Sequence, residues 1–229
     1  IASMPQDHHD TVSLFRWVLQ RLEVFGSEAV RWWCLYLAHG RVGMASHELA
    51  DLLARKLGTD AAATALRIER GLRRYLQRRG PQLDFFHSQL RQAVFDQYGL
   101  QAKATTVHSD FAAYFRDLAD PERNQRWKGD SPRPFGELPF NLVHARMWPE
   151  LVSTLEDIFF LEAKVTHGMA FDLAQDFATA VDTLPPEHAE RKRLRLIVEA
   201  IRRDLHFIAR HAQDYPQALF QCLWNSCWW

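Results

Sequence analysis

The sequence predicts a mainly α-helical chain carrying one small β-hairpin, and three observations carry that prediction. Hydrophobic residues fill 47% of the 229 positions against 24% charged, a balance that suits a folded chain rather than a disordered one. Glycine and proline number only 10 each, and many of them delimit stretches whose apolar residues recur three and four apart, the period of an amphipathic helix. One stretch reads differently: "YLQRRGPQLDFF" at 75–86 sets Gly80 and Pro81 between two arms with apolar residues, as a hairpin does. A chain of this length buries roughly 70% of the surface its unfolded form exposes, so a real core is expected.

Taken in order, residues 1–10, "IASMPQDHHD", read as a linker. Thr11 to Phe25 carries apolar residues at 14, 15, 18, 19, 22 and 25, and Gly26 ends that helix. Ser27 is expected to cap the next one, which runs to about Ala38. "RVGMA" at 41–45 fits a short strand, after which Ser46 caps "SHELADLLARKLG", closed by Gly58. Asp60 opens an alanine-rich helix with apolar positions 65, 68, 72, 75 and 76, and the hairpin follows. Helix, short strand, helix, helix and hairpin in this order make a winged helix over about residues 27–86, so with its flanking helices the first domain spans 11–98.

Beyond it, 99–229 is expected to form a helical arm. After a helix at about 88–98, helices are predicted near 105–118, 136–145, 149–156, 157–167, 170–183, 187–210 and 214–227. Pro121, "GDSPRP" at 129–134 and Pro185–Pro186 separate them, and the stretch 119–135 is the expected flexible connection. Short paired helices with tight turns suggest a solenoid-like array, without a clean repeat period.

Charge excludes a global field: Lys and Arg total 28, as do Asp and Glu, so attraction to nucleic acid or membrane must come from a local patch. No apolar run reaches the roughly 18–20 residues of a membrane span. The best candidate, "AVRWWCLYLA", is short and broken by Arg31, and no signal peptide is visible. Cys34, Cys222 and Cys227 lack zinc-type spacing and neighbour tryptophans, which points to reduced, buried thiols in the cytoplasm with no disulfide. The start at Ile1 and the apolar end "CLWNSCWW" read as those of a piece of a longer polypeptide. Trp127, Trp148 and the terminal tryptophans are expected in packing roles.

No phosphate-binding loop of either common glycine pattern occurs, nor G-x-S-x-G, nor a Cys/His arrangement, so no catalytic residue is assigned and no enzyme is expected. "HELAD" at 47–51 lacks the second histidine of a zinc-protease helix, Asp51 standing there, and a solvent-facing helix start explains His47 and Glu48. "DHHD" at 7–10 reads as solvated linker, and His206 and His211 fall on different faces, so no metal site is assigned.

Two features remain. "RIERGLRRYLQRR" sets Arg67, Arg70, Arg73, Arg74, Arg78 and Arg79 on the third helix and wing against Glu69 alone, a surface for nucleic acid, for an interdomain contact or simply for solvent. The basic side of "RKRLRLIVEAIRRD" at 191–204 reads as solvated, with Leu194, Leu196, Ile197 and Ile201 facing inward. His87 follows the last hairpin strand at the start of a helix, where it either caps that helix against Phe85–Phe86 or serves as an anion contact beside first-turn N–H groups.

The order of "VRWWCLYLAHGRVGMASHELADLL", "LDFFHSQLRQAV", "HSDFAAYFRDLADP", "ELPFNLVHARMWPELVSTLEDIFFLEAKV" and "LHFIARHAQDYPQALFQCLWN" resembles the segment that follows the ATPase core in STAND-class NTPases. It is most similar to the NACHT-type bacterial proteins that continue into WD-repeat propellers, and the resemblance runs from about residue 12 onward. It implies a regulatory, non-catalytic segment that binds no cofactor alone and meets ADP or ATP through a neighbouring ATPase domain. It implies as partners that ATPase domain, a C-terminal sensor of WD-repeat type and, in the active state, further copies of the protein, with neither nucleic acid nor membrane required. In the family the histidine after the wing contacts the β-phosphate of ADP, and His87 holds that place. Plant and apoptotic members carry Met-His-Asp there, whereas this chain has Phe86-His87-Ser88. The alternative of another class is a DNA-binding winged-helix regulator using Arg67 to Arg79.

Overall fold

A computed structural model describes residues 11–99, 101–215 and 217–227. The described chain is mainly helical with one small three-stranded antiparallel sheet. It divides into two compact units, one ending at Val107 and the other beginning at His108. The expected boundary lay near residue 98; the division instead falls inside a helix, which the glycine at 99 does not mark.

In the first unit, α1 (Thr11–Leu22) ends in a 3-10 turn at Glu23–Phe25, and α2 (Ser27–His39) follows. Next come β1 (Met44–Ala45), α3 (Ser46–Leu57) and α4 (Ala61–Leu72). A 3-10 turn at Arg73–Tyr75 leads into β2 (Leu76–Arg79), β3 (Gln82–Phe85) and α5 (Ser88–Tyr98). The predicted order of elements is therefore present, although Tyr75 and Leu76 leave the helix for the hairpin. Ser27 and Ser46 are first helical residues rather than caps; Gly26 and Ala45 hold the cap positions.

α2 is the centre of this unit. Val30, Trp33, Cys34, Leu35, Tyr36 and Leu37 are fully buried, so the helix is apolar nearly all round and α3, α4 and α5 pack against it. Burial pushes the Cys34 thiol well above its ordinary value, which makes it a packed apolar group and a poor nucleophile. The sheet order is β1-β3-β2, with Met44 opposite Leu83 and Arg78 also opposite Leu83 on the other side. Gly43 lets β1 approach: at φ +83 a Cβ there would lie 2.4 Å from the Leu83 carbonyl oxygen, so any other residue must push the strands apart. Glu48, expected to face solvent, is 3% exposed, because its carboxylate accepts the Ala45 N–H at 2.7 Å and closes the first turn of α3.

α6 (Gln101–Ala119) starts earlier than its apolar spacing suggested. In the second unit α7 (Pro132–His144), α8 (Trp148–Glu156), α9 (Ile158–Thr166), α10 (Ala170–Thr183), α11 (Arg191–Arg203), α12 (Leu205–His211) and α13 (Ala218–Cys227) follow. α10 packs on α7, α9, α11 and α12, and Leu173, Phe177 and Ala180 are its fully buried residues. The predicted helix at 187–210 is two: it breaks at Asp204. Leu196, expected inside, is 55% exposed; Leu194, Val198 and Ile201 form the inward stripe at spacings of four and three.

The stretch 119–135, expected to be loose, is fastened by specific bonds. Buried Asp120 accepts the N–H of Gln125 at 2.8 Å, and Gly129 N–H donates to Ala119 O at 2.9 Å. Trp127 is buried, and its indole N–H donates to Asp157 at 2.6 Å while the same carboxylate caps α9 through Phe159 N–H. The prolines of "GDSPRP" do not keep α7 from starting there, since Pro132 and Pro134 sit in its first turn, where the helix has no intrahelical use for an N–H.

Pro139 lies inside α7 and cannot donate to the carbonyl four residues back, that of Phe135. Lys164 of α9, fully buried, fills the vacancy: its ammonium donates to Phe135 O at 2.8 Å and pairs with Asp176 of α10. A second buried set joins α6 to α7. His108 Nδ1 meets the Asn141 side-chain oxygen at 2.8 Å, and the Asn141 amide donates to Glu137 O at 2.8 Å. Desolvation lowers the His108 pKa below its ordinary 6.5, so the ring is held neutral.

Candidate nucleotide-sensing histidine and basic face

His87 takes extended backbone dihedrals between β3 and α5, in the N-cap position of the helix. The hairpin reaches it directly: Phe86 N–H donates to Tyr75 O at 2.8 Å, which extends the β2–β3 pairing by one residue. On the other side, the Leu90 N–H closes the first turn of α5 onto His87 O at 3.1 Å.

Below this junction sits Arg91, one turn into α5. Its guanidinium pairs with Asp84 of β3 and donates to Ala38 O at the end of α2, and it lies 5.9 Å from the centre of the Phe85 ring. Asp84 also accepts Phe85 N–H at 2.7 Å. One side chain thus ties sheet, central helix and α5 together and fixes the direction in which residue 87 leaves the hairpin. The far end of α5 is tied as well. Arg16 of α1 bonds Asp96 at 2.7 Å, holding that carboxyl below the usual carboxylate range, and the Tyr98 hydroxyl donates to Glu23 at 3.0 Å. Burial raises the Tyr98 pKa, so the phenol remains a donor.

The imidazole of His87 is exposed. Its ring centre lies 5.7 Å from that of Phe15, a buried residue of α1, and 4.7 Å edge-on from Phe86, which is 62% exposed. It makes no capping hydrogen bond to α5. Phe86 therefore does not form the apolar floor expected of it; Phe15 and Phe85 do. His87 presents ring nitrogens at a helix start whose first N–H groups have no intrahelical acceptor, an arrangement suited to holding an anionic oxygen.

The six arginines lie apart from this ring in sequence but in the same unit. Arg67, Arg70 and Arg74 lie opposite the buried Ala65, Ile68 and Leu72 and are exposed, as are Arg73, Arg78 and Arg79. Arg78 pairs with Glu69 at 2.7 Å; among the described residues no ion pair joins the other five to an acidic group. Between α4 and the hairpin runs a groove of about 290 Å³ lined by Glu69, Arg70, Arg73, Leu76, Arg78 and Leu83.

Other candidates are kept apart. His47 is exposed while Glu48 beside it faces inward, His206 and His211 belong to a short surface helix, and "DHHD" at 7–10 lies outside the described residues. No cluster of three metal-ligating side chains occurs among the described residues, and no described helix is long and apolar enough to cross a membrane. Sequence reasoning missed Arg91, whose only signal was a basic residue four after His87, and the trio of Pro139, Phe135 and Lys164, signalled by a proline within an otherwise regular helical pattern.

No protein-family model, no characterised protein and no solved structure matches this chain.

Proposed function

We propose that the chain is the regulatory, non-catalytic segment of a signalling NTPase of the STAND class, a winged helix at 11–98 followed by a solenoid-like helical arm. In this reading the protein is cytoplasmic, of the NACHT type that continues into a WD-repeat sensor, and the segment couples sensor occupancy to nucleotide state and oligomerisation. The observation that carries it is the exposed His87 ring at the β3–α5 junction, held in place by the Asp84–Arg91 pair and left without a capping bond. The segment performs no chemistry; an ATPase domain docked on this surface would supply ADP, and His87 would donate to its phosphate. One charge-assisted hydrogen bond, about 1.5–3 kcal/mol, shifts a closed–open equilibrium by about 10- to 150-fold, enough for a latch.

The test is His87→Ala in the longer protein this reading implies. Chromatography of released nucleotide should show less retained ADP, and basal oligomerisation should rise. Unchanged nucleotide content and assembly would refute the reading.

A second reading, a DNA-binding winged-helix regulator, is favoured by the five arginines that lack acidic partners. It requires tight duplex binding that falls steeply with salt.

A further inference from the structure

The arginine face of α4 and the hairpin is not uniformly polar. The groove within it has half-buried Leu76 as its accessible apolar surface, with Leu83 almost wholly buried at its base and Arg70, Arg73 and Arg78 around them, three guanidinium groups to the single carboxylate of Glu69. Leu66, 50% exposed, stands one residue before Arg67 and one turn before Arg70, so the basic stripe of α4 is interleaved with an apolar side chain.

That mixture narrows the occupant. A duplex backbone offers phosphates and sugars, which gain nothing from bare leucine, and a groove of about 290 Å³ is of side-chain size rather than duplex size. A carboxylate already lies on this surface: Glu69 of α4 reaches Arg78 of β2 at 2.7 Å with its own side chain only 17% exposed. Arg70 and Arg73, on the same groove, have no such partner among the described residues. Guanidinium forks match carboxylates in pairs, and the apolar wall beside them accepts an aliphatic side chain.

We propose that this groove is the docking site for an acidic segment of a protein partner, one in which carboxylates alternate with aliphatic residues. Its carboxylates pair with Arg70 and Arg73, and an aliphatic side chain lies over Leu76. The proposal stands on the groove alone and is independent of the role of His87.

The probe is a short fluorescein-labelled peptide of Asp-Glu pairs separated by single leucines, titrated by anisotropy with the whole chain. Saturable binding is expected, weakened about tenfold when every leucine becomes serine and at least about tenfold by Arg70→Glu with Arg73→Glu. Arg70→Gln with Arg73→Gln should weaken it less, and Arg202→Glu with Arg203→Glu on α11 should leave it unchanged. Circular dichroism should show the same fold for all variants, whose replaced side chains are exposed. Equal binding of the serine peptide, equal loss on altering α11, full binding by the reversed groove, or tighter binding of a duplex of matched charge would each overturn the proposal.

Discussion

At the scale of single residues, the feature that decides the site is Arg91. Its side chain and that of Asp84 are 29% and 23% exposed, so the pair is well shielded, and the same guanidinium also serves Ala38 O. Replacing Arg91 by methionine keeps the stem, leaves the Asp84 carboxylate with the Phe85 N–H but without its cation, and takes the side-chain donor from Ala38 O. Urea denaturation should then show a loss of about 1.5–3 kcal/mol, and amide hydrogen exchange or NMR shifts at His87 should report a loosened junction. Little of this was legible in the sequence. A histidine after a hairpin is visible by eye, whereas a contact from α5 back to α2 spans 53 residues and leaves no local period. Glu48 is a similar case: its charge suggested solvent, and the unpaired N–H of Ala45 drew it inward.

Among elements, the join of α7, α9 and α10 turns on a missing donor. Pro139 deprives Phe135 O of its helical partner and Lys164 replaces it, so the two residues are coupled across 25 positions although they do not bond to one another. Lys164→Met removes that donor together with the ammonium that pairs with Asp176, and should destabilise by about 3–5 kcal/mol. With Pro139→Ala already in place, Phe135 O has a backbone N–H again, and the same substitution should cost about 1 kcal/mol less. A double-mutant cycle by chemical denaturation measures the difference; strict additivity would show that the ammonium matters only to Asp176. Helix type and order were legible because apolar spacing records which face is buried. The break at Asp204 was not, since "RRDLHF" has no proline or glycine and α12 turns away for the sake of its own buried Ile208. Leu196 misled in the same way: counting apolar residues alone cannot tell which side of α11 the rest of the unit occupies.

For the whole molecule, equal totals of basic and acidic side chains give no net field at neutral pH, so stability against pH falls to groups with shifted ionisation. His108 is the clearest. Burial holds it neutral, with Phe111 and Phe140 edge-on and His144 at 5.0 Å adding a like charge when protonated; the Asn141 bond opposes this only in part. Its folded pKa lies below 6.5, so below that value the unfolded chain takes up a proton that the native chain refuses. The stability this group contributes is present above pH 6.5 and is lost as pH falls through the window beneath it. Urea midpoints at about pH 7.5 and about pH 5.5 should therefore differ more for the natural chain than for His108→Gln, which keeps a partner for Asn141 and cannot titrate. At this scale the sequence conveyed class and charge balance, while the division at Val107 lay hidden because it falls within the unbroken run of α6.

The sheet order β1-β3-β2 makes β2 an outer strand, and its last two residues are Arg78 and Arg79. Two consecutive arginines put a charged side chain on each face of this open edge, so another strand adding there must crowd or bury a guanidinium, and this edge is protected from growing by the addition of its own kind. Arg78→Thr with Arg79→Val should remove that protection and bring concentration-dependent thioflavin-positive assembly, even if neither arginine ever meets a partner protein.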